Sequence, residues 1–333
     1  MSSFHFAILG LGKIARKFAH DLSLIEGAKL VAVGSRSQER ARAFAEDFGA
    51  EYAAGSYETT FDGPRVDAVY IATPHISHQE LTVMCLEKGV PVLCEKPLGL
   101  NLREVERMVS VARERGVYLM EALWTRFLPS TLKIKELIDS GAIGQLEGVR
   151  SDFGFLAPAA TSGDFSRNRI LNPELGGGAL LDIGIYPQFL AQFLLGAPRE
   201  VHARGRLTER GVDIDTTVTG LHAGGKLSHS YSTLLGGTKT EALIMGSEAR
   251  IHWHPRWHES GAFSILRSWD SPPENHYFDF GEANGYRYEA EAVMADVRAG
   301  RTENADWSLE DSLNLHRTLT EVRKQIGVKY PGE

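Results

Sequence analysis

Residues 4–15 read Phe4-His5-Phe6-Ala7-Ile8-Leu9-Gly10-Leu11-Gly12-Lys13-Ile14-Ala15, and how this stretch divides decides the fold. Phe4–Leu9 is a short apolar run and predicts a buried strand; Ile14, Phe18 and Leu22 then recur at helical spacing. Between strand and helix lies G-x-G-x-x-A. The first Gly permits a tight turn, the second lets backbone approach a pyrophosphate, and the small Ala15 allows close helix–strand packing. The helix N-terminus attracts the phosphate charge. A purely structural turn is the alternative. The strand before and the helix after favour dinucleotide binding, with Gly10, Gly12, Lys13 and Ile14 in contact.

Outward from this turn the alternation continues. Strands are predicted at 29–33, 67–72, 90–94 and 117–120, with a short one near Tyr52. Ser37 caps a helix that buries Ala41, Phe44, Ala45 and Phe48 and stops at Gly49. A second helix runs through Leu81 and Cys85 to Gly89. Asn101 with Glu104 resembles a capping box opening a third, with Val105, Met108, Val109 and Ala112 inward and Gly116 as its end. Strands alternating with helices need crossover connections. Residues 1–122 are therefore predicted as a doubly wound, parallel α/β dinucleotide-binding (Rossmann) domain.

The pattern changes after Glu121. A helix around Leu132, Leu137 and Ile138, a strand at 148–153, a glycine turn at 176–178 and a helix to about Leu195 come first. Strand-like runs then follow one another at 201–206, 216–222, 227–231, 240–245, 249–253, 263–266 and 277–280. The chain closes on a helix with Leu315, Leu319, Val322 and Ile326 on one face. Strands joined by short turns imply antiparallel pairing, so residues 123–333 are predicted as an α+β domain on a large, mostly antiparallel open sheet.

Two domains suit 333 residues. A net charge of −7 repels phosphate backbones and argues against a nucleic-acid partner. No apolar run approaches the roughly 20 residues of a membrane span, and no signal-peptide pattern opens the chain. A soluble cytoplasmic protein is expected. Cys85 and Cys94, in apolar runs, read as small hydrophobes rather than a disulfide framework.

The second strand ends in Gly34-Ser35-Arg36, with no acid to accept from a ribose 2′-hydroxyl. Ser35 can donate to a 2′-phosphate, Arg36 can pair with it or stack on adenine, and Arg40 lies one turn on, so NADP is expected ahead of NAD. Thr73 and Pro74 after the next strand are expected cofactor contacts with His78; for His75 and His78, contact with cofactor or substrate and a structural role are both open. In Glu95-Lys96-Pro97, a Lys at the end of a parallel strand points into the ligand crevice unless it is an ordinary surface cation. Asp182 and Tyr186 are four apart and share one helical face, with an irregularity expected at Pro187. Tyr beside Lys makes a proton-transfer pair, since a nearby cation draws a phenol down from its usual pKa of about 10. A buried helix whose Tyr bonds to backbone is the alternative. His252, His254 and His258 have a spacing that could hold a metal, but a loop over the substrate crevice is the favoured reading and no metal is expected.

Four signatures in order, GLGKIA, CEKPLGLN, EALWTRFLP and GGGALLDIGIYP, resemble the Gfo/Idh/MocA oxidoreductases. Tyr186, where many members carry His, makes the chain most similar to the dimeric dihydrodiol dehydrogenase group, which includes NADP-dependent D-xylose 1-dehydrogenases. The resemblance implies that Lys96 contacts the nicotinamide ribose and substrate, beside Glu95 and a cis Pro97. It implies that Tyr186 exchanges the substrate proton while Asp182 orients Lys96 or the substrate. It implies that Trp124, Arg126 and Phe153 line the substrate site, with Trp257 added from the second domain. A homodimer through the open sheet face is implied too. The expected activity is reversible oxidation of a sugar or vicinal-diol hydroxyl by NADP. Reduction of a keto or anhydro sugar is the alternative activity. A non-catalytic cofactor-binding regulator is the alternative class, opposed by the co-presence of Lys96, Asp182 and Tyr186.

Overall fold

The computed structural model describes residues 3–158, 169–268, 270–331 and 333. The chain forms two compact units. One runs up to Phe127 and resumes over Phe280–Leu313; the other holds Leu128–Asp279 and Asn314–Glu333.

In the first unit, six strands pair only in parallel: β1 (Phe4–Leu9), β2 (Ala28–Gly34), β3 (Tyr52–Ala54), β4 (Ala68–Ile71), β5 (Val92–Glu95) and β6 (Leu119–Ala122). Their order, β3-β2-β1-β4-β5-β6, reverses between β1 and β4. Ligands of doubly wound sheets bind at the carboxyl ends beside such a switch point. The helices are α1 (Lys13–Ser23), α2 (Gln38–Phe48), α3 (His78–Glu87) and α4 (Leu102–Arg115). Ser37 Oγ accepts from Arg40 N at 3.3 Å and Asn101 Oδ1 from Glu104 N at 3.0 Å; such a cap stabilises by about 1 kcal/mol. Ile71, Val92, Cys94, Val105, Met108 and Leu119 share one fully buried cluster. Burying a Val, Leu, Ile or Met side chain contributes roughly 1.5–3 kcal/mol.

Strands β5 and β6 each begin two residues later than the apolar runs suggest, for one reason. Helices α3 and α4 end at left-handed glycines, Gly89 and Gly116. The next amides turn back, Val90 N to Cys85 O at 3.0 Å and Val117 N to Ala112 O at 3.1 Å. The two valines thus complete helix ends instead of entering the sheet.

Residues 280–313 pack with the first unit, so the units do not follow a single linear cut at 122/123. One anchor is Asp21, fully buried in α1, whose carboxylate accepts from the backbone amides of Asn284, Tyr286 and Arg287. A contact spanning more than 260 residues leaves no local sequence mark.

The second unit carries an eight-stranded sheet: β7 (Leu146–Gly154), β8 (Glu200–Leu207), β9 (Asp213–Leu221), β10 (Leu227–Thr233), β11 (Ala242–Gly246), β12 (Arg250–Trp253), β13 (Ala262–Leu266) and β14 (Glu274–Tyr277). The order is β14-β13-β12-β11-β7-β10-β9-β8. Two antiparallel meanders flank β7, and the β7–β10 pair is parallel. Strand β14 lies three residues before the 277–280 run: this polar edge strand pairs on one side only and needs no apolar alternation. Helix α5 (Pro129–Asp139) precedes β7, and α6 (Ile185–Leu195) packs on β7 and β10.

The segment Pro173–Leu195 has the length and apolar character of a membrane span, which amends the expectation that no run comes close. Its most apolar window is 83% buried inside the protein, as a core helix would be. Leu180–Gly184 is a π turn rather than α-helix. This widening directly precedes Pro187, which has no N–H for the Ile183 carbonyl.

Candidate active site

The glycine turn fits a dinucleotide by its packing. Gly10 has φ +88°, and a Cβ there would stand 2.7 Å from the backbone N of Thr73. At Gly12 a Cβ would meet nothing within 4 Å, and no side chain caps α1. Free N–H groups at a helix start, bordered by open space, form an anion site. Lys13 and Ile14 are exposed beside it. At the end of β2, Ser35 is buried and its Oγ accepts from Ser37 N at 3.2 Å, which leaves its own O–H to donate. Arg36 and Arg40 are exposed there.

The loops after β4 and β5 are joined by His78. Its ring reaches Pro97 O at 2.8 Å through Nδ1 and Thr73 O at 3.0 Å through Nε2. With no exposed surface, His78 serves the site by bracing these loops, Thr73-Pro74 and the cis Lys96–Pro97 pair, rather than by an open cofactor contact. Glu95, nearly buried, accepts from the Tyr70 hydroxyl and from Lys96 N at 3.2 Å. Tyr70 stacks on Phe18, and burial followed by the charges of Glu95 and Glu289 pushes its phenol far above the usual range. Glu289 is fully buried, and neither carboxyl oxygen has a hydrogen-bond partner. Burial first, then the charges of Glu95 and Asp21, hold that carboxyl well above the usual carboxylate range. The base of the Lys96 loop is thus an acid-rich, water-poor layer.

Trp124 follows β6 and stacks on Tyr286, with ring centroids 4.7 Å apart and planes 8° from parallel. Arg126, expected to face substrate, is mostly buried and donates to Asp306 O at 2.9 Å and Asp306 Oδ1 at 3.1 Å. Burial lowers its pKa and Asp306 opposes that shift. An Arg that donates to two oxygens of one residue fixes its segment more than it samples a ligand.

In the second unit, the glycines at 176–178 admit the Tyr186 segment to a crowded corner. A Cβ on Gly177 would stand 2.5 Å from Ile170 O, and one on Gly178, at φ +137°, would collide with Asp213 Oδ1. Asp213 Oδ2 accepts from Leu180 N at 2.6 Å, and the Tyr330 hydroxyl donates to Gly177 O at 2.7 Å. Burial pushes the Asp213 carboxyl up to about 6. Asp182 accepts from Arg169 Nη2 at 2.8 Å.

Tyr186 lies against Phe153 and His258, with centroid distances of 5.7 and 5.1 Å, and those two rings stack at 4.1 Å. Phe153, expected to line the substrate site, lies beside Tyr186. Trp257 is not a surface residue of the pocket: it is fully buried, donates Nε1 to Asp152 O at 3.0 Å and N to Thr240 O at 3.1 Å, and so positions its neighbour His258. Thr240 (φ 52°) and Arg256 (φ 62°) are the two non-glycine residues with left-handed backbone among those described, and both belong to this brace. Strain of about 1–3 kcal/mol each persists only where the surroundings impose it. The His252 and His254 rings lie 5.1 Å apart, but each of the three histidines has its own partner. His252 pairs with Glu241 and His254 with Ser264, while His258 packs on the aromatic rings. Among the described residues, no three His, Cys, Asp or Glu are placed to hold a metal. Sequence reading missed Tyr286, Arg169, Asp213 and Glu289, which carry no local signal; His258 it had noted only as part of the His/Trp-rich run.

Residues 4–123 match an oxidoreductase family with an NAD-binding Rossmann fold, Gfo/Idh/MocA, and residues 131–252 match the Gfo/Idh/MocA C-terminal domain. The chain is 38% identical over 335 residues to a trans-1,2-dihydrobenzene-1,2-diol dehydrogenase of Danio rerio, covering 98% of this chain and 97% of that protein. The Mus musculus protein of the same name is 34% identical, with 98% of each chain covered. Among solved structures, a 3-ketoreductase of Actinomadura kijaniata in complex with NADP and TDP-benzene superposes with a TM-score of 0.84 at 27% identity, with 98% of each chain covered. An aldose-aldose oxidoreductase of Caulobacter crescentus complexed with glycerol gives 0.86 at 25% identity, with 97% of each covered.

Proposed function

The chain belongs to the Gfo/Idh/MocA oxidoreductase family, and we propose that it is an NADP-dependent dehydrogenase of a sugar or vicinal-diol hydroxyl. The observation that carries this reading is the end of β2 beside the uncapped start of α1. Ser35, Arg36 and Arg40 gather there, the strand itself ends without the acid that would accept from a ribose 2′-hydroxyl, and Gly12 opens onto free space; Glu39, in the first turn of α2, is the nearest acid in sequence. Gly10, Gly12, Lys13 and Ile14 would hold the pyrophosphate, and Thr73, Pro74, Glu95 and Lys96 the nicotinamide end. When bound, the nicotinamide takes or gives the hydride. In our reading Tyr186 exchanges the hydroxyl proton, and Lys96 is the second residue of the proton transfer. Asp182, held by Arg169, orients the substrate hydroxyl, and Trp124 in the first unit and Phe153 in the second are each proposed as substrate contacts. The neighbours' names support this reading: dihydrodiol dehydrogenases among relatives, and an aldose-aldose oxidoreductase and a 3-ketoreductase, the latter with NADP, among solved structures.

The test is a screen of aldoses and diols with NADP, followed at 340 nm. Turnover with at least one is expected; none, with NADP bound, would leave the regulator reading. The 3-ketoreductase neighbour favours a second reading, reduction of a keto sugar, which NADPH oxidation by such sugars would reveal. We further propose a cytoplasmic homodimer built on the outer face of the eight-stranded sheet. Leu227 and Tyr231 are exposed there, and both thiols are free and buried, as suits a reducing compartment. Light scattering at micromolar concentration should give twice the chain mass, and a monomer would remove the dimer from the proposal.

A further inference from the structure

We propose that Asp21 is a positioning residue that ties the dinucleotide helix to the aromatic wall of the substrate site, and that Tyr286 is the wall residue it sets. This rests on the reading above, in which the start of α1 holds a pyrophosphate and Trp124 faces substrate. Helix α1 is only eleven residues long. Its first turn opens the glycine site, and Asp21 lies in its last turn. A carboxylate there meets the negative end of the helix dipole, and this one is also fully buried. Such a group persists only if donors surround it: four amide N–H groups do, and His20 Nδ1 lies 3.4 Å from Oδ1. Oδ1 accepts from Asn284 N and Asn284 Nδ2, each at 2.8 Å, and Oδ2 from Tyr286 N at 2.8 Å and Arg287 N at 3.2 Å.

The geometry demands a carboxylate. Asn would turn one oxygen into an NH2 group facing N–H donors, with no lone pair to offer. The held segment then delivers Tyr286 flat against Trp124. One short rigid helix therefore carries the cofactor cradle at its start and, at its end, the residue that sets one face of the substrate wall. Cofactor binding that fixes α1 should order residues 284–287 and so prepare the wall.

Amide hydrogen exchange tests the link without turnover. Saturating NADP should slow exchange at Asn284, Tyr286 and Arg287 in wild type, and Asp21→Asn should abolish that slowing. Kinetics test the consequence. Asp21→Asn and Tyr286→Ala should each raise substrate KM by about tenfold, the scale of one lost aromatic stack. NADP affinity should stay within about twofold for both. Tyr286→Phe, which keeps the ring, should recover most of the loss. Exchange at these amides that ignores NADP in wild type, or wild-type KM in Tyr286→Ala, would overturn the proposal. Should Asp21→Asn fail to fold, wild-type exchange and the two Tyr286 variants still decide. Absence of sugar or diol turnover in wild type would refute the proposed activity alone, because the exchange result is read without it.

Discussion

Two glycine-rich turns precede helices in this molecule, and they do opposite work. At Gly10 and Gly12 the following helix has no side-chain cap, and open space lies before it. At Gly177 and Gly178 the first helical amide, Leu180 N, already donates to the Asp213 carboxylate, 33 residues away, and the Tyr330 hydroxyl holds Gly177 O from 153 residues away. In the first turn Gly10 N donates to Gly34 O at 3.1 Å, while no side chain caps the amides that open α1. In the second the protein supplies the acceptor itself, and the glycines allow close packing around it. Glycine before a helix therefore marks an anion site only when the N–H groups are unclaimed.

If the first turn binds and the second positions chemistry, their variants should fail differently. Tyr186→Phe should cut kcat by roughly two to four orders of magnitude, the usual scale for a lost proton-transfer group, with NADP affinity unchanged by titration. Lys96→Ala combined with Tyr186→Phe should lose little beyond the worse single variant, because residues acting in one step are not additive. A full additive loss would separate them, and a collapse of NADP binding in Tyr186→Phe would break the division of labour between the two turns.

The second turn also makes a prediction about pH. The folded pKa of Asp213, about 6, exceeds its ordinary value of 3.8. The fold therefore favours the protonated acid. Its contribution is fully present below the unfolded pKa and is lost as pH rises through about 6. About two units at 1.36 kcal/mol each gives ~3 kcal/mol between pH 4 and pH 8. Urea unfolding of wild type and Asp213→Asn across that range isolates it. The wild-type-minus-variant difference should move in favour of wild type as pH falls. A flat difference would mean that the carboxylate is paid for by its donors and its neighbour Arg323, and that the crowding at Gly178 is relieved some other way.

The same contrast explains what could be read in advance. The first unit advertised itself because its determinants are local: apolar period, Ser37 and Asn101 caps, glycine helix ends and the G-x-G-x-x-A turn all act within a few residues. Even its two late strands were misplaced by a local effect, the valines taken into helix ends. In the second unit the strands were legible by alternation, but the parallel β7–β10 pair came from the chain's route rather than from any segment. The candidate site divides likewise. Motif residues such as Lys96 and Tyr186 were visible, while Tyr286, Asp213 and Arg169 reach their places through contacts distant in sequence. Trp257 shows the converse error: a large aromatic in a promising loop is more readily a brace than a wall, and the brace displayed His258.

The smallest expected effect tests whether the first turn's ligand is NADP in particular. Arg36 is exposed at the end of β2, so it lacks the structural duties of Arg126 and is free to answer a ligand's charge. A 2′-phosphate offers oxygens that suit a guanidinium fork. A charge-assisted bond of this kind contributes roughly 1.5–3 kcal/mol, and 1.4 kcal/mol is about tenfold in affinity. Arg36→Ala should thus weaken NADP by about one to two decades, nearer the lower figure because the group is exposed to solvent and screened by salt. NAD has no phosphate there and should lose only what adenine stacking on Arg36 contributed. Titrating both cofactors into wild type and variant at two salt concentrations separates the terms, since the phosphate part should shrink as salt rises and the stacking part should not. Equal losses for NADP and NAD would reduce Arg36 to a stacking residue. Unchanged NADP affinity would move 2′-phosphate recognition to Ser35 and Arg40, with the uncapped start of α1 still the pyrophosphate site.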